Sequence, residues 1–304
     1  MSESSSPSVF PVSLVHSSSL AIACSTGGFK GVFVHGVLSA LEAGGIRAAA
    51  YAAASSSVFP AICAATGQAD EIGLRYWRGA LHTLAQPGNS MSEVVLHSIA
   101  DSRHQLHQHL FQPGLPRLLI AVSLVRTTAG AALTQGDGAR RLGRKLLLAA
   151  ARHDRTWANE HLAPAFFDTA ASEETQHLTP ENIDAVIYAS TRMLHAWTIP
   201  AWIGDRPYID ASYTCACPAL EMARRGYRTI ISIASEPGPV YSDMFQTDLI
   251  PDEWNGMPIA IIQPDRNLAT MGTDFTTVTE AGMVSVYEYG KAKGREFLHT
   301  YRSL

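Results

Sequence analysis

Apolar residues along this chain fall in short runs, and the runs alternate with stretches of helical period. Leu20 to Cys24 (LAIAC) has the length of a buried strand. Ser25-Thr26-Gly27-Gly28-Phe29-Lys30-Gly31 follows, and then Phe33, Val37, Leu38 and Leu41 recur at helical spacing until Gly44-Gly45. Ala48 to Ala53 predicts a second strand, and Ser56 to Thr66 a helix closed at Gly67. Asp70 to about Gln112 reads as helix and loop, broken at Pro87-Gly88-Asn89. Leu118 to Val125 is a strong strand, Ile183 to Tyr188 a further apolar run, and Ala201 to Asp210 a hairpin with a Gly-Asp turn. A helix over Ala219 to Arg225 ends at Gly226. Thr229 to Ala234 and Pro258 to Gln263 are buried strands, and a last helix covers about Val278 to Tyr301. This alternation predicts an α/β fold, a mainly parallel sheet flanked by helices on both faces. With no internal repeat and no interior linker, residues 19–304 are expected to form a single domain behind a flexible Ser- and Pro-rich lead over residues 1–18.

Composition narrows the function classes. Of 304 residues, 46% are hydrophobic and 16% charged, which suits a large core. A net charge of −4 gives no electrostatic case for nucleic acid or for a polybasic membrane anchor. Cys24, Cys63, Cys215 and Cys217 lack the spacing of a zinc or redox motif and are expected to be buried thiols. The amino terminus has no signal-peptide pattern and no run of 18 apolar residues occurs, so no transmembrane segment and a cytoplasmic location are expected. His104, His107 and His109 invite a metal, but no second ligand cluster accompanies them and a polar helix surface is the simpler explanation. No metal or other cofactor is expected. Arg140, Arg141, Arg144 and Lys145 form a basic cluster on one helix, by default a solvated face and otherwise a contact for lipid phosphate.

Two stretches can carry chemistry. A strand feeding a glycine-rich turn and then a helix, as at Ser25 to Gly31, is an anion site. Thr26 breaks a dinucleotide fingerprint, and Lys30-Gly31 excludes a P-loop. That leaves an oxyanion hole for acyl transfer, or a turn with no ligand. The second stretch is Ala53-Ala54-Ser55-Ser56-Ser57, where an apolar run meets a helix. A serine on such a turn stands exposed above the sheet as a nucleophile, although the G-x-S-x-G glycines are absent here. Read alone, the segment fits buried packing as well as catalysis.

Three separated segments resemble the patatin-like phospholipases, a family of lipid acyl hydrolases. Ser25 to Leu38 (STGGFKGVFVHGVL), with Lys30, Gly31, His35 and Gly36-Val37-Leu38, is similar to the family's glycine-rich oxyanion segment. Gly45-Ile46, Ser55 and Gly67 are spaced as around the family's nucleophile elbow, which selects Ser55 among the three serines. Ala189-Ser190 through Pro200 to Tyr208-Ile209-Asp210-Ala211-Ser212, then Pro218, is similar to the segment bearing the catalytic aspartate. The resemblance implies a patatin-like three-layer architecture and a Ser–Asp dyad. Ser55 would be the nucleophile and Asp210 the general base, with an oxyanion hole of backbone N–H groups at Gly27, Gly28 and Phe29. The implied substrate is a lipid or another ester, in solution or at a membrane surface. Asp137 is a rival base, and His299 a rival third member of a Ser–His–Asp triad. Thr26, Ala53, Ser57 and Ala211 stand where the family has glycine, which leaves a second possibility: a patatin-fold lipid-binding or interaction protein with weak or no turnover.

Overall fold

In the computed structural model the described residues are 19–170 and 176–302, the side chains of 104–108 and 301–302 excepted; the lead expected over residues 1–18 lies outside them. The strands are β1 (Leu20–Cys24), β2 (Ala50–Ala54), β3 (Arg117–Val125), β4 (Leu162–Asp168), β5 (Gln176–His177), β6 (Trp202–Ile203), β7 (Arg206–Ile209), β8 (Thr229–Ile233), β9 (Glu253–Trp254) and β10 (Met257–Ile262). The helices are α1 (Gly31–Ala43), α2 (Val58–Ala65), α3 (Ala69–Leu84), α4 (Met91–His109), α5 (Thr128–Gln135), α6 (Ala139–Ala150), α7 (Thr156–His161), α8 (Ile183–Thr191), α9 (Ala219–Arg224) and α10 (Glu280–Arg302).

β1 is buried along its whole length because both of its faces are covered. Leu20, Ile22 and Cys24 enter one apolar cluster with α1, α2 and α8, whereas Ala21 and Ala23 enter another with Leu220 and Met222 of α9. That period-2 division is what a strand between two helical layers requires. Parallel pairing joins β3, β2, β1, β8 and β10 in that order, so the mainly parallel α/β sheet is observed. Among the described residues, no helix is long and apolar enough to cross a membrane.

Several elements have no assignment in the sequence-based reading, β4 and α8 among them. β4, which runs antiparallel along β3, has no counterpart there, because Pro164 interrupts its apolar run and proline ordinarily argues against a strand interior. The run at Ile183 is the helix α8; its continuous apolarity reflects burial against β3 and α4.

The register on β3 positions everything that follows. β2 leaves β3 at the pair Ala54–Ala121. β7 arrives from the opposite direction, pairing Tyr208 with Leu124 and Ile209 with Ser123. β4 occupies the other edge of β3 from Leu119 to Val125, so β2 and β7 share one edge. Their carboxyl ends therefore converge on Val122, and the next residues along the chain are Ser55 and Asp210.

Candidate active site

Ser55 begins the 3-10 turn Ser55–Ser57 that links β2 to α2. Its φ is +55°, a left-handed conformation that disfavours any residue other than glycine and costs ~1–3 kcal/mol. Contacts on both sides of the residue hold it there. The Ser55 N–H donates to Ser190 Oγ at 2.9 Å, and Ser190 Oγ in turn donates to Ala121 O at 2.7 Å. The Ser55 hydroxyl donates to Asp210 Oδ2 at 2.7 Å.

Asp210 is fully buried, and each of its polar groups is engaged. Its N–H donates to Arg192 O at 3.0 Å, its carbonyl accepts Ser123 Oγ at 2.7 Å, and Oδ1 accepts the Ser212 N–H at 2.7 Å. Burial pushes the carboxyl up to about 6, while hydrogen bonds from Ser212 and Ser55 pull the other way. Such a carboxylate is ionised at neutral pH and more basic than a solvated one, with a hydroxyl proton already aimed at it.

The glycine-rich turn lies beside Ser55. Gly28 has φ +57°, and a Cβ on it would collide with the Phe275 carbonyl. At Gly27 a Cβ would stand 2.6 Å from Ser235 Oγ, so close approach accounts for this glycine. No acceptor among the described residues takes the N–H of Gly27 or Gly28, whereas the N–H of Phe29 donates to Phe275 O at 3.0 Å. Two of the three expected oxyanion donors are thus unengaged and the third is committed. Lys30, buried at the same turn, pairs with Glu236 at 2.6 Å and Asp274 at 3.1 Å, which fastens the segment carrying Phe275 over the site.

The non-glycine residues of the elbow have partners of their own. Ser57 Oγ donates to Ser25 O at 2.5 Å and so ties the start of α2 to the end of β1. Ala53 is buried between Cys24 and Ile120, and Ala211 packs with Ala54 and Ala121. Thr26 has an ordinary φ and donates its N–H to Ala216 O at 2.8 Å.

A narrow cleft of about 40 Å³ opens over Ser55, walled by Phe29, Phe59, Tyr76, Trp77, Val94 and Trp197. The hydroxyl of Ser56 at its edge is buried without a hydrogen-bond partner.

The other sequence candidates lie elsewhere. Asp137 is exposed in the turn between α5 and α6, and His299 is exposed on α10. His35 is buried and structural: Trp77 Nε1 donates to its Nδ1 at 3.0 Å, and its Nε2 meets Ala69 O at 3.0 Å. Burial pushes its pKa down to about 4, against the hydrogen bond to Ala69, so the ring is neutral. His109 is exposed, the side chains of His104 and His107 lie outside the described residues, and the described residues contain no cluster of three or more metal-ligating side chains. Arg140, Arg141, Arg144 and Lys145 are all exposed on α6. The four cysteines are free and buried.

Sequence reasoning named Ala189-Ser190 without giving Ser190 a task; no local signal ties it to a turn 135 residues away. Phe275 went unnoticed because a backbone carbonyl leaves no mark on composition.

No family model and no curated protein sequence matches the chain. Among solved structures it is similar to human GIVD cytosolic phospholipase A2, at 11% identity and a TM-score of 0.43, over 93% of this chain. The chain spans 62% of the length of that structure.

Proposed function

We propose that residues 19–304 form a serine acyl hydrolase that cleaves carboxylic esters of lipids, with Ser55 as nucleophile and Asp210 as general base. One observation carries this reading: a serine at positive φ on a strand-to-helix turn donates its hydroxyl, at 2.7 Å, to a buried aspartate raised to about 6. Ser55 Oγ attacks the ester carbonyl as its proton passes to Asp210 Oδ2. The developing oxyanion is met by the N–H groups of Gly27 and Gly28, each worth ~3 kcal/mol in comparable sites. Asp210 returns the proton to the leaving alcohol, then activates a water that releases the acyl group from Ser55. The motif resemblance to patatin-like phospholipases supports a lipid ester as substrate, and the apolar cleft supports an apolar acyl group on it.

The commitment of the Phe29 N–H to Phe275 favours a second reading, a lipid-binding protein of this fold with weak turnover. A fluorophosphonate probe separates the two. It labels the wild-type protein and not Ser55→Ala if the hydrolase reading holds; a folded wild type that resists the probe and hydrolyses no p-nitrophenyl ester rules it out.

A further inference from the structure

One wall of the cleft over Ser55 is a pair of rings. There Phe59 of α2 and Tyr76 of α3 stack, ring centroids 3.9 Å apart and 14° from parallel, and Trp77 meets Tyr76 edge-on at 5.0 Å. The whole cleft, from Ser55 to the stack and to Val94 and Ile99 of α4, has about 40 Å³, the room of about three water molecules. Beyond the stack, α3 and α4 part into a surface groove of about 420 Å³ that reaches Arg75 and Asp101. Phe59, Tyr76, Ala80 and Ser98 border both spaces. The ring pair, with Ala80 and Ser98, therefore stands between the space at the nucleophile and the surface groove.

The chemistry of this inner wall selects the group that enters. Past Ser56 most of the wall is aromatic rings and aliphatic side chains, and Ser98 and Thr191 spend their hydroxyls on Val94 O at 2.8 Å and Tyr188 O at 2.9 Å. A polar acyl group finds few partners on this stretch, the unpaired Trp197 Nε1–H being one, whereas an alkyl chain gains by leaving water. Each methylene that reaches apolar wall strengthens binding about four-fold, and that gain stops where a ring face blocks the path.

We propose that the Phe59–Tyr76 stack is the end wall of an acyl subsite, which makes this chain selective for esters of short, straight acyl groups. The groove between α3 and α4 is the path a long acyl chain takes once the wall is opened. This inference rests on the hydrolase reading for its substrate, and Tyr76 acts in it as a specificity residue that does not touch the reacting atoms.

The test compares p-nitrophenyl butyrate with p-nitrophenyl palmitate, each dispersed below its aggregation limit, on wild type, Tyr76→Ala and Tyr76→Leu. The wild type turns over butyrate and leaves palmitate nearly untouched. Tyr76→Ala raises the palmitate-to-butyrate ratio of kcat/KM by at least about ten-fold, the gain of two or more buried methylenes. Tyr76→Leu, which keeps apolar bulk in the core, gives a smaller rise and serves if the alanine variant does not fold. A wild type equally active on both esters, or a ratio unmoved in the folded variants, overturns the end wall. Displacement of a fluorescent long-chain fatty acid reads the same wall without turnover. If no protein hydrolyses either ester but Tyr76→Ala gains the fatty acid, the hydrolase reading fails and the acyl subsite stands; if the folded variants gain neither, the subsite fails too.

Discussion

The Ser55 N–H donates a hydrogen bond at 2.9 Å to the hydroxyl of Ser190, 135 residues away in the chain and fully buried on α8. The same Ser190 hydroxyl donates to Ala121 O on β3 at 2.7 Å, so one side chain fixes the elbow to both the sheet and a helix. Ser190→Ala leaves a buried N–H and a buried carbonyl without partners, a loss of ~1–3 kcal/mol. We expect a lower urea midpoint together with a fall in kcat larger than any change in KM, measured on p-nitrophenyl butyrate. Unchanged kcat in the folded variant removes Ser190 from the positioning of Ser55.

Asp210→Asn keeps the shape of the site and removes the proposed proton acceptor. Turnover drops by ~10²–10⁴-fold, the usual contribution of a positioned general base. Persistent activity at the wild-type level assigns the base elsewhere.

The pH profile follows from the same carboxyl. Burial holds Asp210 near 6, so kcat/KM rises as pH increases through about 6 and is flat above it. For stability the sign is the reverse of a salt-bridged aspartate. Between its ordinary 3.8 and about 6 the folded state keeps a proton that the unfolded state has lost, so the contribution of Asp210 is present at low pH and disappears as pH rises through that window. Asp210→Asn, measured against wild type by urea unfolding, gains relative stability from pH 4 to pH 7, on the order of 2 kcal/mol. His35 works in the opposite sense. Its folded pKa of about 4 lies below the ordinary 6.5, so its contribution is present above 6.5 and is lost as pH falls toward 4.

Ser57→Gly restores the glycine that the resemblance leads one to expect. It also deletes the hydroxyl that donates to Ser25 O. The variant is expected to lose ~1–2 kcal/mol, from the missing hydrogen bond and the added chain entropy, and to turn over esters no faster. A faster enzyme of equal stability identifies the wild-type serine as a defect of the elbow.

Gly28→Ala places a Cβ against the Phe275 carbonyl at a φ of +57°. The turn has to move, and the Gly28 N–H moves with it. We expect a lower Tm and a ~10²-fold fall in kcat, the size seen when one oxyanion donor is removed. Retained kcat at lowered Tm places the oxyanion donor elsewhere on the turn.

The sequence by itself determined the local pieces. The buried run Leu20–Cys24, the Gly27-Gly28 turn, the helix after it and the strand that delivers Ser55 are each set by side-chain period and glycine placement over a few residues, and each was legible there. The hairpin that ends at Asp210 was legible for the same reason. Only the tertiary structure decided that these pieces meet. Ser55 and Asp210 lie 155 residues apart, and they touch because β2 and β7 end head to head on one edge of β3, with Val122 between them. Strand register is a long-range property, set by how whole faces bury against the helices, and no local pattern encodes it. The same holds for the Ser190 hydroxyl bonded to the Ser55 N–H, the Phe275 carbonyl on the Phe29 N–H, and the Phe59–Tyr76 stack in the wall of the cleft. Each is a contact between distant segments, and each exists only once the sheet has ordered them.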